Sequence, residues 1–394
     1  MKTRSWLAGM ALVLAGADAQ AQTPVRDEPG IQFSGVGFLT LAAGKVLGGT
    51  PDNPQVNPRH LGYGGPHFIS DWAEGGVYES GGLRFKPDSR LGFQGTATFS
   101  PALSLTGQVV AHGADDGKPN LEWLYGSWKA SDKLTLQFGR KRLPILYYSE
   151  SQDVGISYPW LHLPPDLYGW QVVNYNGANA RYRDQAGEWT YVANVFAGNE
   201  TNKDAGYMKL YNGRNSRSSV RWSRILGGEL NLSRDWFEVR LGYFQNEVEN
   251  GIPDSGNYRP KFLQRTYTLG FMIDWENWRF ANEYYVGDLS RAEEMNYAQV
   301  YALGYRLGKF TPSVTYSHYA TRYIVGGPLH GYTRDDEERH DTRSLSLRYD
   351  LTSTSALKVQ LDDYQDRSGP RFIAAGSVAT GNARLLSLSY DRMF

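Results

Sequence analysis

From Gly30 onward, apolar residues recur at every second position, the period of a strand whose two faces meet different media. Leu91, Phe93, Ala97 and Phe99 share one face against Arg90, Gln94, Thr96 and Thr98, and Leu103, Leu105 and Val109 oppose Ser104, Thr106 and Gln108. Ile31, Phe33, Leu39 and Leu41 repeat the pattern, with Val36 and Phe38 out of step. The alternation predicts sixteen strands, over residues 31–42, 88–100, 103–112, 120–130, 133–142, 169–183, 188–198, 216–232, 236–248, 263–275, 278–288, 296–307, 310–321, 342–351, 356–366 and 382–394. Connections after even-numbered strands are short, as at Pro101-Ala102, Ser131-Asp132 and Glu276-Asn277, whereas those after odd-numbered strands are mostly long. That asymmetry predicts an all-β fold, a transmembrane antiparallel β-barrel with short turns at one end and long loops at the other. Lipid offers no partner to a backbone N–H or C=O, so without spanning helices only a closed sheet can cross it. Sixteen strands enclose an aqueous interior.

Composition fits this reading. Mean hydropathy is −0.51, and past the N-terminus no 18-residue apolar run exists to serve as a helical span. A barrel reconciles a polar average with a membrane because only alternate residues meet lipid. Trp128, Trp189, Trp236, Trp275 and Trp278 fall at or beside the short turns, where an interfacial ring keeps its N–H wet. The chain has no Cys, which excludes disulfides, thiolate metal sites and a thiol nucleophile. With 41 basic against 41 acidic residues, scattered rather than clustered, it shows no footprint for nucleic acid. No cofactor motif is present, and none is expected. Lys2 and Arg4, the apolar stretch Trp6 to Gly16, and Ala19-Gln20-Ala21 read as a signal peptide over residues 1–21, leaving residues 22–394 as the exported barrel domain.

At the C-terminus Leu386, Leu388, Tyr390 and the final Phe394 share one face. This terminal strand, with the strand number, resembles the Gram-negative outer-membrane porins; Arg392 departs from the usual apolar residue. The resemblance implies a passive channel for small hydrophilic solutes or ions, seated in outer-membrane lipid as a homotrimer and performing no covalent chemistry. The long first loop, Ala43 to Pro87, becomes a candidate for covering a neighbour. The resemblance also implies that the loop after strand 5, Leu143 to Tyr168, folds into the barrel and narrows it. Its Leu146, Tyr147, Tyr148, Ile156, Trp160 and Leu163 favour burial.

The candidate constriction pairs an acidic loop (Glu150, Asp153, Asp166) with a basic wall (Arg140, Lys141, Arg142, Arg181, Arg217, Arg221). Alternation adds Arg90, Arg240, Arg279, Arg348 and Lys358 to the interior, and a transverse field of this kind discriminates ions and dipolar solutes. If strand 5 stays regular, Arg140 and Arg142 point to lipid, so their inward orientation requires a bend. Two other classes remain open: an outer-membrane barrel enzyme of protease or lipase type, and a surface binding protein. No Gly-x-Ser-x-Gly elbow supports the former. The cluster His330, Asp335, Asp336, Glu337, Glu338, His340 and Asp341 matches no metal-loop spacing and reads as a solvated loop.

Overall fold

The structure is a computed structural model that describes residues 30–51, 63, 65–71, 74–212, 217–252, 257–258, 261–289, 294–323, 333–374 and 380–394. The expected signal peptide and His330 lie outside the described residues. Sixteen strands close into one antiparallel barrel: β1 (Gln32–Thr50), β2 (Arg90–Ser100), β3 (Leu103–His112), β4 (Pro119–Lys129), β5 (Leu134–Arg142), β6 (Asn174–Ala186), β7 (Trp189–Asn202), β8 (Ser219–Arg234), β9 (Phe237–Ile252), β10 (Phe262–Trp275), β11 (Trp278–Leu289), β12 (Glu294–Tyr305), β13 (Phe310–Tyr323), β14 (Glu337–Thr352), β15 (Ser355–Asp366) and β16 (Asn382–Met393). A two-residue strand, Asn257–Tyr258, pairs with the end of β9. Closure falls to β1, whose first half pairs with β2 and second half with β16. The terminal Phe394 adds a reciprocal pair of backbone hydrogen bonds to Gly37.

The two faces separate as the alternation predicts. Leu91, Phe93, Leu105 and Val109 are exposed on the outer surface, whereas Gln94, Thr96, Thr106 and Gln108 are buried inside and bond across the β2–β3 pair. Trp128, Trp189, Trp236, Trp275 and Trp278 are all exposed beside the short turns. Phe38, out of step on β1, turns inward and packs with Val110 and Val154.

Several strand boundaries move, two of them at the long connections. The third long connection runs to residue 173 rather than 168, because Trp170 and Val172 pack into the interior before β6 begins. The first connection starts later than the alternation predicts. β1 continues to Thr50, and the following segment carries a short hairpin, His67–Ile69 with Val77–Glu79. Phe68 and Tyr78 of that hairpin are buried against Val46, Tyr364, Ala383 and Leu385. The described part of loop 1 thus packs over its own barrel mouth, where the rings of Phe68 and Tyr78 find their burial.

Candidate functional site: the barrel interior

The third connection, loop 3, spans residues 143–173 and lies inside the barrel, almost wholly buried. Keeping Leu146, Tyr148, Trp160, Leu161 and Leu167 out of water favours this placement by about 1.5–3 kcal/mol for each large side chain. All of these but Leu161 join inward residues of β6 to β12, including Phe196, Trp222, Phe244, Met272 and Tyr285, in one apolar cluster.

A buried loop carries backbone carbonyls that need donors. The inward cations of the wall supply them. Arg240 donates to the Pro144 carbonyl at 3.1 Å; Arg348 donates to Ile156 at 2.7 Å and Tyr158 at 3.1 Å; Lys358, 0% exposed, donates to Gly155 at 2.6 Å and Trp160 at 2.7 Å. Arg279 reaches the Tyr148 hydroxyl at 2.9 Å. These four side chains, expected as a wall facing the open lumen, instead hold the loop. Carboxylates and amides complete the seat: Glu283 accepts from the Tyr147 N–H at 2.7 Å, Gln360 from the Leu161 N–H at 2.8 Å, and Thr315 from the Trp160 indole at 2.8 Å. At the far end of the loop His162 sits 3.1 Å from Asp88 and 3.4 Å from Asp362. Burial opposes protonation of its imidazole, but the two carboxylates outweigh that and push it up to about 10.

The predicted acidic side chains divide. Asp153 is buried between Arg142 and His112, the latter at 2.8 Å; burial opposes its charge, and those cations hold its carboxyl well below the usual range. Asp166, 3% exposed, accepts from Ser317 of β13 at 2.6 Å and so anchors the loop to the wall. Glu150 alone among the loop's charged side chains is partly exposed, and it acts electrostatically on Lys141 and Arg240.

The predicted basic residues divide too. Lys141 faces the interior, with its ammonium bonded to Gln137 and Asn179 and 4.9 Å from the Tyr125 ring centre; Arg181 lies close enough to act on it. Arg140 and Arg142 do turn to inward carboxylates, Arg140 to Glu200 at 2.8 Å and Arg142 to Glu122 at 3.3 Å and to Asp153. The bend is at Gly139, whose φ of 136° suits glycine and whose added Cβ would strike the Leu124 carbonyl. Glu122 is brought inside by a bulge in β4, where Gln108 faces Trp123 and Val109 faces Leu121. Arg221 is a correction: it lies exposed on the outer face between buried Val220 and Trp222, whereas Arg217, also exposed, precedes β8. A bulge at Ser223–Arg224, with Arg224 at φ 53°, shifts the register and reverses the alternation above it.

Above the loop, toward the long connections, opens a vestibule of about 800 Å³ lined by Arg90, His112, Glu122, Arg140, Arg142, Gln152, Glu200 and Trp170 among others. The acidic cluster read as a solvated loop lies largely on β14 instead, with Asp336, Glu337, Glu338 and Asp341 buried and engaged separately: Asp336 with Arg371 at 3.3 Å, Glu337 with Arg322 at 3.2 Å, Glu338 with His340 at 3.2 Å and Asp341 with His318 at 2.6 Å.

No family model matches the sequence, and no curated protein matches it. Solved structures do match. The chain shares its fold with outer-membrane porins. It is similar to a loop-deleted form of OmpT, an outer membrane protein of Vibrio cholerae, at 12% identity over 92% of this chain and 99% of that one, with a TM-score of 0.57. An anion-selective porin from Comamonas acidovorans matches at 13% identity over 93% and 100%, TM-score 0.55. The outer membrane channel DcaP of Acinetobacter baumannii matches at 12% identity over 94% and 100%, TM-score 0.55. At such identities the likeness is one of fold.

Proposed function

We propose that this protein is a passive channel of the Gram-negative outer membrane, passing small hydrophilic solutes or ions between Glu150 on loop 3 and the wall bearing Lys141 and Arg181. One observation carries this reading: the only partly exposed charged side chain of the inward loop is an acid that faces a basic wall. Opposed charges across a narrow passage act on ions and dipolar solutes directly. A cleaved leader over residues 1–21 and a homotrimeric assembly belong to the same reading; a trimer form is recorded for the OmpT neighbour.

The reading assigns no covalent chemistry. Ser317, Asp166 and His340 do converge, but the Ser317 hydroxyl donates to Asp166 rather than to the imidazole, which lies 3.9 Å from Asp166. All three are buried, His340 being 1% exposed, so no substrate reaches them. A second reading, a surface binding barrel, is favoured by the ring of contacts that loop 3 makes from β2 around to β15, with the vestibule as its site.

Planar-bilayer recording of the refolded chain under a KCl gradient separates the two. Stepwise currents are expected, with the reversal potential moved toward anions by Glu150→Gln and toward cations by Lys141→Ala. Solute binding with no current at any salt concentration would replace the channel by the binding barrel.

A further inference from the structure

The outer surface of β11 to β15 carries a groove of about 450 Å³. One register row forms its floor: Phe280, Leu303, Val314, Leu345 and Leu361 follow one another across the five strands. Val314 is the smallest of the five, which leaves the depression between its larger neighbours. The next row toward the long connections reads Tyr301, Tyr316, Arg343, Asp363, then Arg384 on β16. Arg343 thus closes the upper end of the groove. On β14 it is the first charged outward position above Leu345, Leu347, Tyr349 and Leu351.

Its neighbours are engaged elsewhere. Asp363 accepts from Arg384 at 3.0 Å and from Gln365 at 2.9 Å. The Tyr316 hydroxyl donates to Asp341 at 2.9 Å, and Asp341 also pairs with His318 at 2.6 Å and Arg367 at 3.0 Å. Arg343 itself makes no hydrogen bond or ion pair among the described residues. Taking Arg343, Arg367 and Arg384 against Asp341 and Asp363, the patch has an excess of one positive charge with His318 neutral. A guanidinium at the edge of the hydrocarbon, with five donors and no acceptor, is favourable when an anion meets it.

We propose that this groove is a lipid-binding site: an acyl chain lies over Val314 while the phosphate of the same lipid's headgroup is held by Arg343. The groove supplies apolar surface that continues the hydrocarbon, and the guanidinium supplies the forked geometry that matches a phosphate. The site binds a phosphate-bearing lipid of the leaflet at the long-loop end.

The test is native mass spectrometry of the full chain refolded in detergent, with heat-modifiable migration confirming that each variant has folded. Three probes are added in turn: dipalmitoyl phosphatidic acid, dipalmitoylglycerol with the same chains and no phosphate, and inorganic phosphate. One phosphatidic acid should be retained per chain where the other two probes are not. Arg343→Ala should weaken that retention about tenfold. Arg343→Lys should weaken it less, and Val314→Phe, which fills the groove and keeps the cation, should also reduce it. Retention by Arg343→Ala equal to that of the unaltered protein would overturn the proposal. So would inorganic phosphate bound as tightly as the lipid, which would leave only an anion site. Chain–chain complexes abolished by Val314→Phe would make a second copy the occupant and overturn it as well.

Discussion

His162, enclosed by Asp88 at 3.1 Å and Asp362 at 3.4 Å, is the side chain on which the far end of loop 3 turns. Its imidazole titrates near 10 instead of about 6.5, so its contribution is complete below about 6.5 and disappears as pH rises through 10. Burial works against the Asp88 charge, yet the His162 imidazolium draws its carboxyl below the ordinary value; that contribution is present above about 3.9 and fades as pH falls below it. Seating of the loop is therefore expected to be tightest between about pH 4 and 6.5. Hydrogen exchange over residues 155–168, corrected for its intrinsic pH dependence, should accelerate from pH 7 to pH 11. His162→Leu, which leaves two buried carboxylates without their cation, should cost about 3–5 kcal/mol in urea unfolding and abolish the alkaline change. Histidine between prolines and aromatic residues gave no hint of this in the sequence, because Asp88 and Asp362 are 74 and 200 positions away.

Single residues that interrupt alternation decide where whole strand ends face. Gly139, at φ 136°, lets Arg140 and Arg142 reach Glu200, Glu122 and Asp153, although strict alternation points them to lipid. Gly139→Ala should destabilise the barrel by about 1–3 kcal/mol in urea unfolding, because neither the backbone angle nor the Leu124 carbonyl accommodates a Cβ. The glycine is visible in the sequence and marks the place where a bend is possible. The bulge at Ser223–Arg224 has no such marker, and it is what carries Arg221 outside. Pairing register is fixed by neighbouring strands through hydrogen bonds that a local reading of one strand does not contain.

For the barrel as a whole, stability depends on an outer band that remains apolar around the entire circumference. Val195, 59% exposed on β7, lies within that band, and Val195→Arg should cost about 2–4 kcal/mol when unfolding is followed from lipid vesicles, as a charge near the bilayer midplane does. The sequence by itself determined that band, the number and order of the sixteen strands and the short turns; the inward fold of the third loop is what the family resemblance implies. The sequence could do so because lipid acts on every second residue alike, leaving a period of two that needs no knowledge of partners. Only the tertiary structure decided how the interior charges are used. Once loop 3 is enclosed, its carbonyls compete for the wall's cations, and Arg240, Arg279, Arg348 and Lys358 go to the loop, while Lys141 is left within electrostatic reach of Glu150 and Arg181. Charge at a lumen position is permitted by water wherever it falls along the chain, so its role is set by which distant group the closed barrel places opposite it.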